Sequence, residues 1–170
     1  MKTKTRYNED FCGIISQEML GAGGFLMDSQ KTQQKIQEEI INIVSQYLAH
    51  QPDITTAYIF GSLVRGRFRP ESDIDIAVLF SPNITDKLER FERRLELEIA
   101  LQEKLHRPVQ VIDLMEAPLL LQHQVRKYGK LILEKDHRQR VCFEVNSRRR
   151  YFDMQHFYCL QKAIIFGRLG

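Results

Sequence analysis

The chain predicts an α+β fold in the broad α/β class, a small mixed sheet covered by helices. Three observations carry this. Short β-branched and aromatic runs at residues 54–60, 74–80 and 108–113 have the composition and length of strands. Between and around them lie stretches whose apolar residues recur at helical spacing, so strands and helices alternate along the chain. At 170 residues and 43% hydrophobic, the chain can bury one sizeable core, and one domain is the default.

The elements follow in order. Asp28 or Ser29 can cap a helix in which Ile36, Ile40, Ile43, Val44 and Tyr47 share a face, ending near His50. Residues 54–60 read as a strand that stops at Gly61, and a second strand starts around Asp73 and runs to Phe80. Residues 85–106 predict an amphipathic helix with Leu88, Phe91, Leu95, Ile99 and Leu105 inward and a dense mixture of charges outward. The run from Pro108 to Asp113 is a third strand, followed by a helix from about Pro118 to Tyr128 that Gly129 ends. Leu131-Ile132-Leu133 reads as a short edge strand, and a long helical region starts near Arg138. No internal repeat is visible. The expected organisation is a core over residues 27–135 with a helical extension, 136–170, packed on it.

The chemistry concentrates between the first two strands. Gly61-Ser62 is a turn at which the backbone can approach a ligand closely, with a hydroxyl beside main-chain N–H groups, and such a turn can cradle phosphate oxygens. Ten residues later comes Asp73-Ile74-Asp75. Because side chains alternate across a strand, Asp73 and Asp75 are expected on one face and Ile74 and Ile76 on the other. Two carboxylates on one face suit Mg2+, which takes oxygen ligands, keeps several waters and completes its shell with substrate phosphates. Two such ions stabilise both the attacking and the leaving oxygen of an in-line displacement. An Asp-x-Asp alone is more often a solvated strand end; here it coincides with strand, turn, polar loop and strand. Of Arg65, Arg67 and Arg69 between the two halves, Arg65 is assigned to phosphate. A third acid, as metal ligand or as base, is expected from the neighbouring strand, and Asp113 is the candidate.

Gly61-Ser62-Leu63-Val64-Arg65-Gly66, then Glu71-Ser72-Asp73-Ile74-Asp75-Ile76-Ala77-Val78, resembles the signature of the minimal nucleotidyltransferases of the polymerase β superfamily. Val111-Ile112-Asp113-Leu114, Ala117-Pro118-Leu119 and Gly129-Lys130-Leu131-Ile132 extend the likeness to MntA-type antitoxins, over roughly residues 27–155. The resemblance implies a polymerase β-like fold and AMP transfer from ATP to a tyrosine of a HEPN-domain toxin. It implies that Gly61 and Ser62 hold the triphosphate and that Asp73, Asp75 and Asp113 hold the Mg2+ ions and catalyse; Arg65 and Ser72 are added as nucleotide-binding candidates. Val64 departs from the alanine many relatives carry. A small-molecule nucleotidyltransferase, or an antitoxin acting by binding alone, are the alternatives.

Other classes recede. A net charge of +3 with no aromatic-interleaved basic stripe argues against extended nucleic-acid binding. Cys12, Cys142 and Cys159 lack metal or disulfide spacing and read as reduced thiols of a cytoplasmic protein; the five histidines are scattered and structural. No apolar run reaches membrane-spanning length and no secretory signal is apparent. His156-Phe157-Tyr158 supplies half of the HEPN nuclease pattern, but Tyr151 stands where that pattern needs arginine, so a nuclease is rejected and the aromatic cluster is expected in helix packing. Residues 1–26 fit poorly: codons for Ala22-Gly23-Gly24 can spell a ribosome-binding sequence just before Met27, so the segment is expected to be a non-native or disordered leader, with a genuine N-terminal helical arm as the rival.

Overall fold

In the computed structural model, residues 25–167 are described except Arg67, Pro70 and Glu71. The expected leader therefore falls, for all but its last two residues, outside the described residues, as do Cys12 and Arg67. The chain divides into two compact units, Met1–Ile36 and Gln37–Gly170, and the sheet lies wholly within the second. The elements are α1 (Phe25–Ala49), β1 (Ile54–Phe60), β2 (Ile74–Phe80), α2 (Lys87–Leu105), β3 (Val109–Asp113), α3 (Leu119–Tyr128), β4 (Lys130–Glu134) and α4 (His137–Gly167). The helix begins at Phe25, so Asp28 and Ser29 lie inside its first turns rather than at its cap.

The four strands form one mixed sheet in the order β3-β2-β1-β4. β1 is antiparallel to β2 and β4, while β2 and β3 run parallel, joined by the crossover helix α2 that a parallel pair requires. Register sorts the side chains. Tyr58 and Phe60 pair with Ala77 and Asp75, which share one face; Ala57 and Ile59 pair with Val78 and Ile76 on the other. The first face meets Val125 and Leu121 of α3 and Phe143 of α4 in one apolar cluster. Tyr58 donates its hydroxyl to Glu144 of α4 at 2.6 Å, so the one polar atom of that cluster's tyrosine is paired. Ile59, Ile74, Ile76 and Val78 on the second face have no exposed surface. Off the sheet, α1 contributes buried Ile40, Val44 and Leu48, α2 contributes Leu97 and Leu101, and the loop between β1 and β2 contributes Leu63 and Phe68.

α2 is rotated away from the expected orientation. Leu88, Phe91 and Ile99 are 62%, 51% and 59% exposed, whereas Leu97 and Leu101 have no exposure. The helix carries two apolar stripes, and polar contacts with β3 select between them. Arg94 donates to the Val111 carbonyl at 3.1 Å, the Val111 N–H donates to Glu98 at 3.2 Å, and Gln102 donates to the Val109 carbonyl at 3.1 Å. These bonds satisfy the open edge of β3, and they turn the stripe from Leu88 to Ile99 outward. Asp86 caps the helix by accepting from the Leu88 N–H, and His106 ends it in the left-handed conformation at φ 50°. Asp136 does the same at the head of α4, accepting from the Gln139 N–H at 2.9 Å. In the expected aromatic cluster, Tyr151 stacks on His123 of α3 with centroids 3.9 Å apart, but Phe152 and Phe157 are about half exposed. Among the described residues no helix is long and apolar enough to cross a membrane.

Candidate functional site

The site forms at the end of the sheet where β1 leaves and β2 enters. Phe60 pairs with Asp75, and the chain then turns at Gly61 with φ +75°, a conformation that favours glycine. The Arg65 N–H donates to the Gly61 carbonyl at 3.3 Å, which closes residues 61–65 into a compact turn. Space sets a second demand. A Cβ on Gly61 would lie 1.8 Å from Asp75 Oδ2, so the turn can rest against that carboxylate only because no side chain intervenes. Ser62 follows, half-buried in the turn.

Asp75 is half-buried and Asp73 exposed. Burial, and then the negative charge of Asp73, push the Asp75 carboxyl above its ordinary range. The two acids thus feel each other, as their same-side placement requires. Among the described residues neither has an ion pair or hydrogen bond to its carboxylate, whereas Asp53, Glu134 and Glu144 are each paired with arginine. Two crowded, unneutralised carboxylates are a donor set that a hard divalent cation fits. Asp73 and Asp75 would hold it.

Asp113 does not join them. β2 and β3 are in register with Asp75 opposite Gln110 and Val78 opposite Asp113. Asp113 therefore sits three steps along the strand, about 10 Å away at roughly 3.3 Å per residue, and on the opposite face of the sheet. There it is 6% exposed. Its Oδ1 accepts from the Met115 N–H at 2.9 Å, closing the turn after the strand, and Arg90 Nη1 lies 3.5 Å from Oδ2 as an ion pair without hydrogen-bond geometry. Burial raises its pKa while Met115 and Arg90 lower it. The expected third catalytic and metal-binding acid is thus a structural one. No group of three or more acids, histidines or cysteines able to hold a metal occurs among the described residues.

The expected nucleotide-binding residues divide. Gly61, Ser62 and Arg65 lie on the turn, while the Ser72 hydroxyl accepts from the Arg69 N–H at 3.0 Å and the Ser72 N–H returns to the Arg69 carbonyl at the same distance, so Ser72 staples the loop ahead of Asp73. One neighbour was not foreseen. Tyr128, at the end of α3, lies with its ring 5.4 Å from the Arg65 guanidinium carbon. Gly129 next to it is pressed towards the end of β1, where a Cβ would come within 3.3 Å of the Ile59 carbonyl oxygen. A hydrogen bond with Lys127, the charge of Lys127, and then Arg65 hold the Tyr128 phenol below its usual range. No signal marked Tyr128 in the sequence, because its distance along the chain from Arg65 is bridged only by the pairing of β1 with β4.

Comparison with known proteins adds the following. Residues 38–138 match the family described as polymerase beta, nucleotidyltransferase. Among solved structures, a chain of a toxin–antitoxin complex with AMP-PNP is 29% identical with a TM-score of 0.56, over 78% of this chain and 98% of that one. A chain of the MntA–HepT toxin–antitoxin complex is 28% identical with a TM-score of 0.52, over 81% and 99%. A chain of the complex of tri-AMPylated Shewanella oneidensis HEPN toxin with its MNT antitoxin is also 28% identical, with a TM-score of 0.51 and coverage of 81% and 99%. No curated protein sequence matches this one.

Proposed function

The chain belongs to the polymerase β nucleotidyltransferase family, and from that membership we propose that it is an antitoxin that transfers AMP from ATP to a tyrosine of a HEPN-type toxin. The observation that carries this is the likeness, over about four-fifths of this chain and nearly all of the other, to a chain of complexes that hold AMP-PNP in one case and a tri-AMPylated HEPN toxin in another. The geometry agrees with it. The turn at Gly61 and Ser62 offers backbone N–H groups and a hydroxyl to the triphosphate, and Arg65 adds a charge at its rim. Asp73 and Asp75 bind Mg2+, which when present neutralises charge on the phosphates and polarises the reacting oxygens. Gly61 keeps the Asp75 carboxylate against the turn, so phosphate site and metal site are one unit. Arg65 and the Tyr128 ring border that unit and orient the nucleotide. Residues 27–135 act as the catalytic core.

Incubation with labelled ATP, Mg2+ and the neighbouring gene's product tests the reading. Label is expected on a tyrosine of that product, and Asp73→Asn with Asp75→Asn is expected to abolish it while a thermal melt shows the fold retained. If the doubly substituted protein neutralises the toxin at equal stoichiometry, binding alone suffices and the reading fails.

A further inference from the structure

We propose that Gln110 occupies the place of the third acid, so that the site works with two carboxylates and takes an acceptor whose hydroxyl ionises without a protein base, namely a phenol. The inference rests on the nucleotidyl-transfer reading above and deepens it. Parallel register sets Gln110 directly beside Asp75, about 4.8 Å away across the strands, and alternation puts the two side chains on the same face. Gln110 is exposed, and among the described residues its amide has no hydrogen-bond partner. It is therefore free to act on something that enters the site.

No other described acid supplies the missing function. The groove beside Gln110, between β3 and α2, presents Lys87, Arg90 and Arg94 from the helix. Its two acids, Asp113 and Glu116, are already opposed by Arg90, and Glu116 also by Lys87. From the β1 side only Phe60 pairs with Asp75. An amide cannot accept the proton that a nucleophilic hydroxyl must lose; it can donate N–H to an oxygen and so orient it. Without a base, the proton has to leave to solvent before attack. A phenol, with an ordinary pKa near 10, does this at neutral pH far more readily than an aliphatic hydroxyl. The phenolate oxygen then bonds to the α-phosphorus, the bond from that phosphorus to the bridging oxygen breaks, and pyrophosphate departs with the electron pair.

The test uses the full chain with Gln110→Glu, which keeps the shape and restores a carboxylate, and Gln110→Ala. Mn2+ titration followed by electron paramagnetic resonance reads the site without any acceptor. The Glu variant is expected to bind Mn2+ about tenfold more tightly than the parent, with Gln110→Ala close to the parent. The parent's transfer to the tyrosine acceptor is expected to rise about tenfold per pH unit between pH 6 and 8, and the Glu variant's profile to be flatter. Unchanged Mn2+ affinity in Gln110→Glu, or a parent rate already level at pH 6, would overturn the proposal. Should no acceptor be labelled by any form, nucleotidyl transfer to a toxin has failed instead, and the Mn2+ titration alone still decides where Gln110 stands.

Discussion

Asp75 and Asp113 are both acids on adjacent parallel strands, and in both burial is the main force raising the carboxyl pKa. Their neighbours make them opposites. Asp113 is opposed by Arg90 and accepts the Met115 N–H, so its burial is partly compensated and it holds a strand end in place. Asp75 has a second acid as its charged neighbour and a bare glycine against its oxygen, and nothing in the described chain compensates it. Uncompensated charge destabilises a fold and is retained where a ligand supplies the missing partner.

The contrast breaks most visibly under substitution. Asp75→Asn is expected to lower AMP transfer on the order of 10^3-fold, the several kcal/mol ascribed to metal-assisted charge stabilisation, as measured by label incorporation at saturating ATP. Asp113→Ala is expected to act on stability instead, costing about 1–3 kcal/mol because the Met115 N–H loses its acceptor and the buried Arg90 keeps only Glu116 as a partner, with transfer per folded molecule retained. A urea melt and an assay at low temperature separate the two quantities. If Asp113→Ala abolishes transfer in folded protein, the division between the two acids is wrong. Gly61→Ala is expected to cost about 10^2-fold in transfer, since the added methyl displaces the Asp75 carboxylate from the turn, and a steady-state comparison with Asp75→Asn sharpens which effect dominates.

The smallest effect concerns pH. Because the folded state holds the Asp75 proton more tightly than the unfolded chain, it binds more protons through the window above the ordinary carboxylate range, and stability falls as pH rises through the elevated pKa. Metal-free Asp75→Asn is therefore expected to match the parent at low pH and to exceed it near neutrality by less than about 1 kcal/mol. Melting curves from pH 3 to 8 in chelator check the crossover.

Much of this arrangement was legible in the sequence. β1 and β2 were bounded by a glycine turn and by an apolar run with acids at its head, and both strands occur where composition put them. Pairing between strands was not legible. Asp113 looked like a third site acid because it ends a strand next to β2, but its face depends on parity against Asp75, and that is fixed by how far α2 and its loops carry the chain before β3 begins. The inward face of α2 was missed for a related reason. Periodicity reveals that a helix has apolar stripes, whereas the choice between them came from Arg94 and Glu98, whose charges look solvent-bound until the open edge of β3 gives them partners. Tyr128 reached Arg65 through the β1–β4 pairing, a long-range contact with no local trace.

Those same partners of Val111 have a bearing on assembly. With its amide and carbonyl engaged by α2, the outer strand offers no continuous ladder to which another polypeptide could zip. Growth of the sheet into ribbons or fibrils from that side is blocked, and any protein that settles there must do so through side chains alone.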